Sequence, residues 1–463
     1  MSATRAARHE RLLASGHTYT SLSGKIGNLA LRPNGTLWFV SFGCALLLTL
    51  LFAAGVGELL EKGVGIWGIN IPVAWAFALI NYVWWIAIGM AGTFISAALY
   101  LARQDWRSSL NRYAEAMTVF AVSVSGLFPI FHLGRPWFFY WVAFYPNRMS
   151  LWPQWRSSLV WDFLAIIAYL LVSIMYWYVG LLPDLATLRD QARTRGKQVF
   201  YGLLALGWRG EARHWKRLES LNLVLAGLAV PLVFSVHSMV ALDFSEGTLP
   251  GWHSTMFPPF FVAGAFFSGF AMALVLGIPL RRWLGLGDII TPKHLDNLSK
   301  MMLAAGLFVG YNYAVECFMA FYSGDPYEIS EMKDRLVGPY AWVFWTVIAC
   351  NVVAIQFLWS PRVRRNPIAL FVISMLVLIG MWYERFMLIV NTLFRTYLPS
   401  SWGMFYPTLW DLIFLFGSIG LFLLLFTLFV RWLPIVAMFE MRKLLQGIIK
   451  KVPAEPKSES EAA

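Results

Sequence analysis

The sequence predicts an all-α integral membrane protein of about ten transmembrane helices, arranged as two four-helix bundles (helices 2–5 and 6–9) with a peripheral helix at each end. Three observations carry this. Of 463 residues, 59% are hydrophobic and only 13% are charged, against roughly 25% charged in a soluble domain. Apolar runs of about 20 residues recur, the length that crosses the hydrocarbon core. Lys and Arg gather on alternate connections between those runs. Together they exclude a soluble globular enzyme, a disordered chain and a coiled coil.

The elements follow in order. A polar, basic arm occupies 1–36, and the first apolar run starts near Leu37. That run is long enough to span and stands too far into the chain for a secretory signal. Span 1 covers 37–57 and is peripheral. Span 2, 73–101, carries Gly89, Gly92 and Ser96, small residues that suit close helix packing. Span 3, 112–133, ends at His132, and span 4, 158–182, meets Asp162 near its start. Span 5, 220–243, passes His237 and ends at Asp243, completing a first bundle over 73–243. Span 6, 257–280, repeats small residues at Gly264, Ser268 and Gly269. Span 7, 297–322, holds Tyr311, Asn312, Tyr313 and Glu316; span 8 is 338–359; span 9, 367–394, holds Tyr383, Glu384 and Arg385. Spans 6–9 make a second bundle over 257–394. Span 10, 409–431, is peripheral, and a tail over 432–463 ends in a polar stretch, Val452 to Ala463, read as disordered. In hydrocarbon each run must be helical, because every backbone polar group has to be satisfied internally.

Orientation comes from charge. The arm, the tail and the 2–3, 4–5, 6–7 and 8–9 connections hold 29 of the 37 Lys and Arg residues, and the opposite connections hold 7. Both termini are therefore expected in the cytoplasm of a bacterial inner membrane. The net charge of +12 then needs no nucleic acid as partner; membrane lipids suffice. Cys44, Cys317 and Cys350 stand far apart, with no CxxC and no metal-ligand spacing.

Ionisable residues inside spans cost ~2.5–3.5 kcal/mol each at the bilayer centre on insertion scales, so they call for a reason. His132, Asp162, His237 and Asp243 come from three consecutive helices. Alternation of the spans puts all four toward the outer face. Two imidazoles and two carboxylates beside the membrane interior suit proton-coupled chemistry on a lipid-soluble quinol, which gives up two electrons and two protons. His132 and Asp162 at matched depth are the central pair. Arg135 is expected to hold a ligand, a partner or a lipid phosphate. The run Trp137–Trp141 is either an aromatic lining or an interfacial belt. Neither span 3 nor span 5 carries two histidines a few turns apart, so a two-haem cytochrome b is not expected. In the second bundle a buried Arg385 requires a carboxylate, and Glu316 is the expected partner, since Glu384 and Arg385 diverge by about 100° on their helix. Tyr313, Glu316, Glu384 and Arg385 read either as a structural ion pair or as a proton path.

Several runs resemble one family. His132-Leu-Gly-Arg-Pro136 followed by WFFYW, VHSMVALDF ending at Phe244, the stretch beginning PGWHSTMF at Pro250, TPKHLDNLSKMMLA from Thr291, and MWYERF around Glu384 are similar to the NrfD/polysulfide-reductase membrane-subunit family. Within it they most resemble the ActC branch of alternative complex III. The likeness spans roughly 35–440. It implies a quinol:electron-acceptor oxidoreductase subunit, respiratory or photosynthetic, not catalytic alone. His132, Asp162 and Asp243 become catalytic quinol-site residues, with Arg135 and His237 lining the site. The substrate would be menaquinol or ubiquinol, with no haem or iron–sulfur cluster in this chain. The implied partners are a periplasmic iron–sulfur subunit, c-type haem subunits and a homologous NrfD-like membrane subunit; proton translocation is implied for the second bundle. Two alternatives stand beside it: a quinone-reducing anchor of a periplasmic dehydrogenase or polysulfide reductase, and a secondary transporter.

Overall fold

The computed structural model describes residues 12–32, 35–142 and 155–451, and among them there is no strand. Among the described residues ten helices are long and apolar enough to cross a membrane. A short helix α1 (Tyr19–Leu31) precedes the first of them, α2 (Thr36–Lys62). The chain continues through α3 (Ala76–Leu101), α4 (Asn111–Phe131), α5 (Ser158–Gln191), α6 (Ala212–Ser245), α7 (Phe257–Trp283) and α8 (Pro292–Tyr322). A twelve-residue helix, α9 (Pro326–Val337), lies between spans. Then come α10 (Ala341–Trp359), α11 (Pro367–Asn391) and α12 (Leu409–Trp432), and finally α13 (Met438–Lys451).

Packing follows from where each helix hides its surface. Helices α3, α4, α5 and α6 close a ring in which each touches the next and α6 returns to α3; α7, α8, α10 and α11 close a second. The rings meet where α7 and α11 lie on α3. Helix α3 is thus buried nearly all round, with Ile80, Val83, Trp85, Ile86 and Ile88 fully covered. Helix α2 pairs with α12 outside the rings and leaves Leu46, Leu47, Leu50 and Leu51 exposed, as a lipid-facing helix should. The close approach at α3 depends on missing side chains. A Cβ on Gly92 would overlap the Ala114 carbonyl and the Thr118 hydroxyl of α4, and one on Gly269 would press the Ile88 carbonyl at 2.9 Å. The freed Gly89 carbonyl accepts from Thr118 at 2.6 Å and from Tyr169 at 3.1 Å, tying α4 and α5 to the hub.

Helices α5 and α6 run well past the apolar stretches expected at 158–182 and 220–243. Hydropathy reports only the lipid-immersed part, while the backbone ladder continues into polar sequence. These extensions, α1 and α13 crowd one face together. Four buried charges there, Arg107, Arg112, Glu115 and Asp184, escaped the list of intramembrane residues because they sit at span ends. Arg112 donates to the Gly180 carbonyl at 2.6 Å and meets Asp184 at 3.2 Å and Glu115 at 3.1 Å. Arg107 meets Glu440 of α13 at 3.1 Å, and Asp184 accepts from the N–H groups of Met438 and Phe439, which fastens α13 to the first ring.

Candidate functional site

At the end remote from α1 and α13, α4, α5 and α6 deliver the residues singled out in the sequence. Asp162, one turn into α5, is buried, and its Oδ2 accepts a hydrogen bond from the hydroxyl of Tyr82 on α3 at 2.5 Å. Its Oδ1 is buried without a hydrogen-bond partner among the described residues. Asp243, half-buried at the end of α6, is close enough to Asp162 for the two charges to interact. Its Oδ1 is likewise unpartnered. Two carboxyls and one phenol thus converge from three helices. An unsatisfied buried polar atom costs about 1–3 kcal/mol, and both Oδ1 atoms carry that cost among the described residues.

His132 caps α4 and is half-buried. Its Nδ1 lies 3.0 Å from the Phe128 carbonyl. A carbonyl only accepts, so Nδ1 carries the proton and Nε2 presents a lone pair. Among the described residues no hydrogen bond or ion pair joins His132 to Asp162. The nearer carbonyl of its own helix orients the ring, and Tyr82 takes the place against Asp162. Arg135 is exposed, as are Trp137, Phe138, Phe139 and Tyr140. Residues 143–154, which connect this end of α4 to α5, and the Trp141 side chain lie outside the described residues.

His237 stands about two turns below Asp243 on α6, fully buried, with neither ring nitrogen hydrogen-bonded among the described residues. The charge that reaches it is Arg385. Arg385 lies over the Phe261 ring at 4.4 Å, with Nη1 2.7 Å from Glu384 Oε1. That contact lacks hydrogen-bond angles, so all three guanidinium nitrogens remain donors without a hydrogen-bond acceptor among the described residues. Glu384 turns the other way, toward the hydroxyl of Tyr313, which also accepts from Asn351 at 3.0 Å. The hundred-degree divergence holds for what the two residues face, yet their side chains still fold together as an ion pair.

The expected pair Glu316–Arg385 is not formed. Glu316 meets Arg335 at 2.6 Å. Arg335 comes from α9, outside every span, where a sequence reading sees only a loop charge; a residue one turn beyond Tyr313 reaches it before it reaches Arg385. Tyr82, Asn351 and Arg335 are the participants that sequence reasoning missed. Tyr82 and Asn351 each carried a signal, as polar groups within apolar spans; Arg335, in a connection, carried none.

No group of three or more His, Cys, Asp or Glu among the described residues is placed to hold a metal ion. A cavity of about 820 Å³ opens at the far end of α3, beside Arg103, Arg107 and Lys443. It lies on the face with α13 and is separate from the carboxyl cluster.

Residues 68–397 match the family "Polysulphide reductase, NrfD", a stretch that takes in both rings and every residue of the cluster. A relative from Halobacterium salinarum (strain ATCC 700922 / JCM 11081 / NRC-1), named as a putative membrane subunit of dimethyl sulfoxide reductase, is 24% identical over 365 residues, covering 77% of this chain and 79% of the relative. The family match extends over most of the chain, from before α3 to past α11: this protein belongs to the NrfD polysulphide reductase family of membrane subunits of redox complexes.

Proposed function

We propose that this subunit binds a quinol at the Tyr82–Asp162–Asp243–His132 end of the first ring and takes its protons while the electrons leave to a partner. The buried Asp162, held at one oxygen by Tyr82 and open at the other, is the observation that supports it. Quinol oxidation releases two electrons and two protons. Asp162 Oδ1 accepts one hydroxyl proton, with Tyr82 fixing the carboxyl plane. Asp243, nearer the surface, receives that proton and passes it to water. His132 accepts the second at Nε2, its ring oriented by the Phe128 carbonyl. His237 and Arg135 flank the site from below and above. General acid–base groups of this kind are worth about 10²–10⁴ in rate.

The 29-to-7 distribution of Lys and Arg supports a cytoplasmic location for both termini, so the carboxyl end faces the outside of a bacterial inner membrane. The electrons then pass to an extracytoplasmic iron–sulfur subunit. The run His132-Leu-Gly-Arg-Pro136 supports the alternative complex III branch, with c-type haem subunits, a second NrfD-like subunit and menaquinol or ubiquinol as substrate. The halobacterial relative's name supports a second reading, a membrane subunit that feeds or drains a terminal reductase. Haem absorbance of the purified complex separates them. Asp162→Asn and His132→Ala in the assembled complex should each lower quinol-dependent acceptor reduction by about 100-fold or more; near-normal turnover overturns the proposal.

A further inference from the structure

The second ring carries an ionic knot that the quinol chemistry does not use. Arg335 of α9 is 1% exposed. Its Nε contacts Glu331 of the same helix at 2.5 Å, its Nη1 contacts Glu316 of α8 at 2.6 Å, and its Nη2 reaches Thr392, just past α11, at 3.4 Å. Thr392 in turn donates to Glu331 at 3.1 Å. One stretch of loop is drawn into this knot: the connection 246–256 that follows Asp243. The Gly251 carbonyl lies 3.5 Å from Arg335 Nη2, and the Gly251 N–H donates to Glu328 at 3.0 Å. Gly251 has φ +77°, and a Cβ there would stand 2.7 Å from Arg335 Nη2 and 2.8 Å from Glu331 Cδ. The knot is thus shaped around a backbone with no side chain.

The next residue carries the contact back to the first ring. Trp252 is buried; its indole N–H donates to the Leu388 carbonyl of α11 at 2.7 Å, and its ring meets Phe244 edge-on at 4.9 Å. Phe244 follows Asp243 directly and packs on Phe261 at 5.6 Å. A second tie, Tyr397 to the Thr248 carbonyl at 2.6 Å, holds the same loop.

We propose that Arg335 is a positioning residue for Asp243: by clamping Gly251 between α8, α9 and the end of α11, it fixes Trp252 against Phe244 and so sets where the Asp243 carboxyl stands relative to Asp162. This deepens the functional reading above and rests on it for its effect on turnover. It explains why a charge is buried in a helix that spans nothing. Replacing such a triad by apolar groups is often neutral for stability, whereas an apolar patch would hold the Gly251 peptide by no directed bond.

The test is a double-mutant cycle in the assembled complex, using Arg335→Gln, Arg335→Lys and Asp243→Asn with steady-state quinol kinetics normalised to assembled complex. Arg335→Gln should raise the quinol KM or lower kcat about tenfold in the wild-type background, and less than twofold in Asp243→Asn; Arg335→Lys should recover only part, since it cannot hold both carboxylates in one plane. Equal losses in both backgrounds, or unchanged kinetics, overturn the proposal. Should Arg335→Gln fail to assemble, Trp252→Phe, which keeps a ring against Phe244 and loses the bond to Leu388, enters the same cycle with the same two outcomes. One readout does not depend on turnover: the infrared carboxyl band that disappears in Asp243→Asn should titrate about half a pH unit or more away from its wild-type midpoint in Arg335→Gln. A normal turnover of Asp243→Asn would count against the quinol reading alone; an unshifted band would count against the positioning role alone.

Discussion

Tyr82 shows how one hydroxyl decides what a carboxyl can do. It occupies Oδ2 of Asp162 at 2.5 Å and leaves Oδ1 open. Tyr82→Phe removes that bond and keeps the ring. The assembled complex should form normally and turn over about tenfold more slowly, since a hydrogen bond to a charged group is worth about 1.5–3 kcal/mol; single-turnover kinetics of quinol oxidation would measure it. In the second ring the buried pair Glu384–Arg385 has no other ionic partner among the described residues. Glu384→Gln strands the guanidinium in a dry interior, at a cost of about 3–5 kcal/mol. Thermal unfolding in detergent should show a lower midpoint for Glu384→Gln, while Glu384→Asp retains part of the stability.

At the scale of elements, α9 is the one with a pH signature. Burial pushes Glu331 up to about 7 even though Arg335 pulls it down, with Glu316 raising it further. A folded-state pKa above the unfolded value of about 4.5 means that the folded state holds the proton more tightly. The contribution of Glu331 is therefore fully present below about pH 4.5 and is lost as pH rises through 7. Thermal stability of the detergent-solubilised protein should fall by on the order of 1 kcal/mol per pH unit across that window, and Glu331→Gln should flatten the slope. Asp288 works in the opposite sense. Burial would raise it, but Lys25 at 2.5 Å and His17 at 2.7 Å hold it below its usual value. Its tie between the N-terminal arm and the 6–7 connection persists above pH 4 and loosens as pH falls further. The helices themselves were legible from their apolar length; α9 was not, because an amphipathic twelve-residue helix carries as many charges as a loop.

The whole molecule is two rings sharing α3 as a hub, with the carboxyl cluster at one end and the charged girdle of Arg107, Arg112, Asp184 and Glu440 at the other. The asymmetry of Lys and Arg predicts which end meets the cytoplasm. A cysteine placed at exposed Arg209 should react with a membrane-impermeant thiol reagent only from the cytoplasmic side, and one at exposed Tyr327 only from outside; the reverse pattern would move the proposed quinol site to the other leaflet. What the amino-acid order determined by itself is the number of long apolar helices, together with an expectation for their direction. These follow from one-dimensional quantities, hydrophobic length and charge alternation, because the bilayer imposes a single axis. Which charges touch was decided only by tertiary structure. Tyr82 rather than His132 faces Asp162, and Arg335 rather than Arg385 meets Glu316, because rotation about each helix and the arrival of α9 are set by packing among helices, which hydropathy along the chain does not encode.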